Sequence, residues 1–167
     1  MLALTSGQRA QTLHKVDIRN INFGSKEVYI PITALLKTSH PKRQTKVTLH
    51  LRAYHECKEI CVLETLQLYL RRTEPLRGNT SQLLISTIKP HGPISNDTVS
   101  RWLKTVLFEA GVDTELFTGH STRAAKTSKD FFDGMPIQDI IRQAGWSNNR
   151  TFEKFYQKVI ITEKVVE

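Results

Sequence analysis

The sequence predicts an α+β domain, mainly helical, with a small three-stranded antiparallel sheet near the N-terminus. Three observations carry that expectation. Short β-branched stretches with polar alternation fall before residue 55, apolar residues recur at helical spacing through most of the remaining chain, and cap and stop residues divide that part into short units. At 167 residues the chain is about one ordinary domain, long enough to bury roughly two thirds of its unfolded surface without a disulfide or a metal. No internal repeat, low-complexity tract or linker interrupts it, so residues 1–167 read as a single unit.

From the N-terminus, LALTSGQRAQTL reads as the end of one apolar helix and the beginning of another, joined near Gly7. Its abrupt Leu-Ala-Leu start would be poorly covered if nothing preceded it, which predicts a piece of something longer. VDIRNINF and KEVYIPI, separated by Gly24 and Ser25, read as a hairpin. TKVTLHLRAY alternates over Val47, Leu49 and Leu51 and supplies the third strand, with the basic segment TSHPKRQ at the hairpin tip between them. ICVLETLQLYLRRT then puts Ile60, Leu63, Leu66 and Leu70 at helical spacing and closes on Arg71 and Arg72, the sign a helix C-terminus favours, before Pro75 and Gly78. QLLISTI reads as a short buried stretch and KPHGP as a loop. Ser95 is the expected N-cap of ISNDTVSRWLKTVLFEAG, with Asp97 in the first turn and Gly111 as the stop. Two further helices are expected, over 121–132 ending at Gly134 and from Pro136 to Gly145; Ser147 or Asn148 would cap a last one carrying Phe152 and Tyr156.

Composition limits the function classes. With 24 Lys plus Arg against 16 Asp plus Glu, the chain has a formal charge of +8 and a pI near 9.7, so a polyanion is the first partner to consider. No stretch approaches a membrane span, and the start lacks the apolar run and cleavage site of a signal peptide. The only cysteines, Cys57 and Cys61, exclude a disulfide scaffold and favour the cell interior. His50 and His55 lie near them, yet a structural zinc needs two ligand pairs brought together, so core packing or surface thiols are the expectation, with no metal and no cofactor. The charge is uneven: residues 1–80 carry 13 basic and 6 acidic side chains, residues 81–167 carry 11 and 10. Lys37, Lys42, Arg43, Lys46 and Arg52 fall in one acid-free run with His40 and His50, at a hairpin tip and its flanks, where charge can project into a groove.

The sharpest local signal is GHSTRAA, residues 119–125. His120 and Arg123, three apart, would share one face at a helix start. Trp146 comes 23 residues after Arg123, and Tyr156 comes 10 after Trp146, in AGWSNNRTFEKFY. Upstream, Arg9 sits in SGQRAQTL after a glycine turn, and Lys37 sits on the hairpin. With these residues in this order, nearly the whole chain resembles the catalytic domain of the tyrosine recombinases, also called phage-integrase-type recombinases. GQRAQT, CVLETLQLYLRRT, KPHGPISNDTVSRWLK and HSTRAAKTSK look most like the recombinases of eukaryotic mobile elements of the Crypton and DIRS types.

The resemblance implies a role for each residue. Arg9 matches the first family arginine, Lys37 the hairpin lysine with Lys42 as its rival, His120 and Arg123 the His-x-x-Arg pair, Trp146 the His-or-Trp position, and Tyr156 the nucleophile. Many members carry an acid three positions after the first arginine, where this chain has Thr12. Trp146 and Tyr156 stand one residue further apart than in many bacterial members, where Phe155 would fall on the nucleophile position; phenylalanine cannot attack. The implied activity is site-specific DNA cleavage and rejoining through a 3′-phosphotyrosyl bond, which needs no high-energy cofactor. Two guanidiniums suit the non-bridging phosphate oxygens, and Lys37 the leaving 5′ oxygen. The setting would be integration or excision of a mobile element in the nucleus. Double-stranded DNA is the implied partner, with an upstream helical DNA-binding domain before Met1 and dimers or tetramers formed on DNA through the C-terminal segment VIITEKVV.

Each residue also has an ordinary explanation: Trp146 and Tyr156 as core aromatics, Arg9 and Arg123 as ion-paired arginines, Lys37 as one solvated lysine among several. Read singly these stand; none explains the order and spacing of the set. Three other readings stay open. The chain could be a domesticated, inactive DNA-binding module derived from such a recombinase, a helical interaction protein, or a type IB topoisomerase sharing the chemistry.

Overall fold

The computed structural model describes residues 1–34, 47–146, 150 and 152. The chain opens with two short helices, α1 (Leu2–Ser6) and α2 (Ala10–His14), hinged at Gly7. There φ is +60°, a left-handed value that L side chains adopt only at a cost, and the Gly7 N–H bonds the Ala3 carbonyl at 3.0 Å. Arg9, extended at φ −73°, ψ 153°, stands at the N-cap position of α2.

Three antiparallel strands come next, in the order β1 (Asn22–Phe23), β2 (Glu27–Ile32) and β3 (Val47–Arg52). Strict alternation puts Val28, Ile30 and Ile32 of β2 on the inner face, opposite Leu51, Leu49 and Val47 of β3. They meet Cys61, Val62, Leu63 and Leu66 at the start of α3 (Val62–Thr73), together with Val16 and Leu83. Burial of each large aliphatic side chain in this cluster stabilises by roughly 1.5–3 kcal/mol before chain entropy is counted. A second cluster joins Ala3 and Leu13 to Ile94 and Val99 at the start of α4 (Asn96–Glu109). The last described helices are α5 (Ser121–Phe132) and α6 (Ile137–Ala144), stopped by Gly134 at φ +84° and Gly145 at φ +66°.

The fold class and the sheet match the expectation, and so do the helix limits set by Gly7, Ser95, Gly134 and Gly145. Two details differ. The strand expected over residues 16–23 shrinks to Asn22–Phe23. The Val16 carbonyl accepts from Leu83 and the Ile18 N–H donates to Ser81, while Asp17 caps a 3-10 turn over Ile18–Asn20; a partner more than sixty residues away takes the backbone groups that a hairpin would have used. Ile60, expected on the buried side of α3, lies in a separate 3-10 turn, Lys58–Ile60, and is half exposed. Cys61 takes the core position instead, its sulfur accepting the Tyr54 N–H at 3.4 Å. Of the closing helix expected beyond residue 147, only Arg150 and Phe152 are described; both are helical, and Phe152 is fully buried. Among the described residues no helix is long and apolar enough to cross a membrane.

Candidate active site

The turn between α1 and α2 presents Arg9, and its neighbours lock it in place. Gln8, buried, donates from Nε2 to the Gln143 carbonyl at 2.6 Å, and the Gly7 carbonyl accepts from Arg123 Nη1 at 3.3 Å. Arg123 also donates from Nη2 to the Ala144 carbonyl. Two residues of the first turn are thus tied to two carbonyls at the end of α6, Gln8 directly and Gly7 through Arg123 of α5. A Cβ on Gly7 would stand 3.1 Å from Lys126 Cγ, so α5 packs directly on the hinge. Lys126 is held there by both oxygens of the buried Asp130, each at 2.5 Å.

The start of α5 is shaped by a reciprocal turn. Thr118 N–H donates to Ser121 Oγ at 3.1 Å and Ser121 N–H returns to the Thr118 carbonyl at 2.8 Å, while the His120 N–H donates to Thr118 Oγ1 at 3.3 Å. His120 therefore stands at the N-cap position, exposed, whereas Arg123 one turn later is 1% exposed. The spacing of three predicts a shared face. The structure separates the pair in burial, with His120 on the surface and Arg123 inside, although His120 itself has helical backbone angles, φ −74° and ψ −24°.

Arg9 and His120 line the same groove, of about 460 Å³, between α2, α4 and the segment before α5. Gln11, Asn96, Ser100 and Lys104 share its wall, and among the described lining residues none is acidic. Nor does any described carboxylate lie within ion-pair distance of Arg9. Two cations, an imidazole and several hydrogen-bonding side chains, with no carboxylate among the described lining residues, form a site suited to an anion. Behind the turn, the Arg123 guanidinium lies over the Trp146 ring, 4.8 Å from its centroid, and Trp146 packs on Phe152 at 6.1 Å. Of the six expected residues, four thus fall into two described pairs, Arg9 with His120 and Arg123 with Trp146, joined at Gly7. Lys37 and Tyr156 lie outside the described residues, as do Lys42, Arg43, Lys46 and the C-terminal segment.

Thr12, at the position where the resemblance leads one to expect an acid, is buried beneath Arg9, with its N–H on the Arg9 carbonyl at 2.9 Å. At the end of α2, burial and the charge of Lys15 hold His14 below the usual imidazole range, while the Ile94 carbonyl bonds the ring. Arg52 is exposed on the outer face of the sheet, opposite Glu27. Glu27 also pairs with His50 at 2.7 Å, which lowers its carboxyl, and His50 stacks on Tyr29 with ring centroids 4.5 Å apart. The basic character expected of Arg52 is therefore partly offset.

Asn96, Ser100 and Lys104 escape the sequence reading, although their signal is present: spaced by four, they fall on one stripe of a helix whose limits the cap residues already mark. What selects that stripe is the packing of α2 against α4, which no local pattern carries.

A family model described as the phage integrase family matches residues 1–160. Compared directly with curated protein sequences, the chain matches none. Among solved structures it is similar to the XerA recombinase, with a TM-score of 0.73 and 16% identity over 96% of this chain and 50% of that one. The XerH site-specific recombinase bound to its difH substrate in a pre-cleavage complex gives 0.71 and 14%, covering 95% and 41%. The Tn1549 transposon integrase in complex with transposon right-end DNA gives 0.65 and 15%, covering 95% and 53%. At these identities the likeness is one of fold, and the chain spans about half or less of the length of these proteins.

Proposed function

Because the chain belongs to the phage integrase family, we propose that it is the catalytic domain of a tyrosine recombinase that cuts and rejoins DNA at a specific site, for integration or excision of a mobile element. The observation that carries this reading is the shared groove of Arg9 and His120, with Arg123 and Trp146 stacked behind the same turn. Arg9 and Arg123 are the two guanidiniums that stabilise the charge growing on the non-bridging oxygens as the phosphate becomes five-coordinate. His120 orients the phosphate and handles the tyrosine proton, and Trp146 packs the site or donates its indole N–H. The Tyr156 hydroxyl attacks phosphorus, the bond to the 5′ oxygen breaks, and Lys37 returns a proton to that oxygen; rejoining is the reverse.

The Crypton- and DIRS-like motifs support a eukaryotic mobile element and hence a nuclear setting. An upstream helical domain before Met1 would complete a clamp around the DNA, and VIITEKVV would join copies into dimers or tetramers on it; deleting residues 160–167 then weakens assembly on DNA and leaves single-site binding intact. A nicked suicide DNA substrate tests the chemistry: the wild-type chain should form a protein–DNA adduct that survives denaturant, and Tyr156→Phe should not. Equal signal from both would remove Tyr156 as the nucleophile.

One observation favours a second reading, a domesticated module that holds DNA without cutting it. The Arg123 guanidinium is 1% exposed and its two terminal nitrogens donate to backbone carbonyls. Salt-dependent DNA binding with no adduct on any substrate would select this reading.

A further inference from the structure

The groove is larger than a single phosphate requires. Asn96, Ser100 and Lys104 line it at intervals of four along α4, and at 1.5 Å per residue the three span about 12 Å of helix. Phosphates of one B-form strand recur about every 3.4 Å of duplex axis and stand further apart along the backbone itself, so a wall of this length can meet more than one of them. Arg9 and His120 share the wall, while the cation at the far end of the row, Lys104, is only loosely engaged. Its Nζ stands 3.8 Å from Glu115 Oε1, and both side chains are largely exposed, at 61% and 89%. An ion pair this long and wet contributes little and exchanges readily for another anion.

We propose that Lys104 is a further DNA phosphate contact in the groove that Arg9 and His120 line, and that Glu115 is a carboxylate the DNA must displace to reach it. The proposal rests on the DNA reading of this groove. It gives the chain an affinity control outside the six expected residues: Lys104 adds one counterion-releasing contact, and Glu115 reduces the gain by competing for the same ammonium. The Lys129–Asp133 pair, at 2.8 Å on α5, supplies a control of like charge whose residues do not line the groove.

The test is equilibrium binding of the full chain to a short mixed-sequence DNA duplex between about 50 and 200 mM salt, with circular dichroism confirming that each variant is folded. Lys104→Gln is expected to weaken binding and reduce the slope of log K against log salt by about 0.9, one phosphate contact. Lys129→Gln should leave the slope as it is. Glu115→Gln should tighten binding about two- to fivefold at the lower salt, and the double variant Lys104→Gln with Glu115→Gln should bind like Lys104→Gln alone. An unchanged slope in Lys104→Gln overturns the proposal while salt-dependent binding by wild type leaves the DNA reading standing. Equal tightening by Glu115→Gln with and without Lys104 overturns it as well, since the effect is then net charge only. Absence of salt-dependent binding by wild type overturns both.

Discussion

Arg123 donates to the carbonyl of Gly7, two residues before Arg9 and 116 positions away in sequence. The same guanidinium reaches the Ala144 carbonyl, two residues before the indole on which it stacks. One buried side chain thus sets the positions of two segments that both bear expected site residues.

Removing that side chain should unfold the arrangement before it affects any chemistry. A buried carbonyl left without its donor costs about 1–3 kcal/mol, so Arg123→Ala should lower stability by about 2–4 kcal/mol in urea unfolding. Arg123→Lys should recover little, because an ammonium cannot bridge both carbonyls and lie flat on Trp146. Full stability in Arg123→Lys would show that the planar fork is not what the turn needs.

Gly7→Ala tests the hinge. The left-handed φ of +60° and the 3.1 Å approach to Lys126 Cγ act together, and the backbone term alone is about 1–2 kcal/mol. A loss of that size in thermal unfolding is expected, with weaker DNA binding because Arg9 moves with the turn. A variant as stable as wild type would mean that the turn relaxes to a negative φ.

Ser95 caps α4, its Oγ accepting the Thr98 N–H at 3.2 Å. Ser95→Ala should cost about 1 kcal/mol, and hydrogen exchange should quicken first in the opening turn of α4, which lines the groove through Asn96. Unaltered protection there would assign the start of the helix to packing of Val99 and not to the cap.

Asp17 sets a pH dependence. Hydrogen bonds from the Arg19 side chain hold its carboxyl down at about 2 against the opposing effect of burial, with smaller help from the Arg19 N–H and Ser81. A depressed carboxyl stabilises the fold fully above the unfolded value near 3.8 and loses that contribution as pH falls toward 2. Asp17→Asn should therefore be less stable than wild type at neutral pH, with the gap closing across that window in acid titrations followed by fluorescence. A gap that stays constant would mean that Asp17 acts through shape and not charge.

Much of the fold was determined by the sequence alone, because much of it is local. Ser95, Gly7, Gly134 and Gly145 set helix limits through caps and left-handed turns that involve only neighbouring residues. The alternation of Val28, Ile30 and Ile32 against Val47, Leu49 and Leu51 set the sheet's inner face, because a one-residue slip would expose all of them. The order of Arg9, His120, Arg123 and Trp146 pointed to the family for the same reason: it is a property of the chain, not of its folding. Tertiary structure decided the rest. The Val16 backbone pairs with Leu83 and not along a hairpin, His120 opens on the groove while Arg123 turns inside, and Asn96, Ser100 and Lys104 become a wall only once α2 packs on α4. Each of these depends on a partner brought close by the burial of apolar surface elsewhere, and a periodicity or a spacing contains no information about which distant group will arrive.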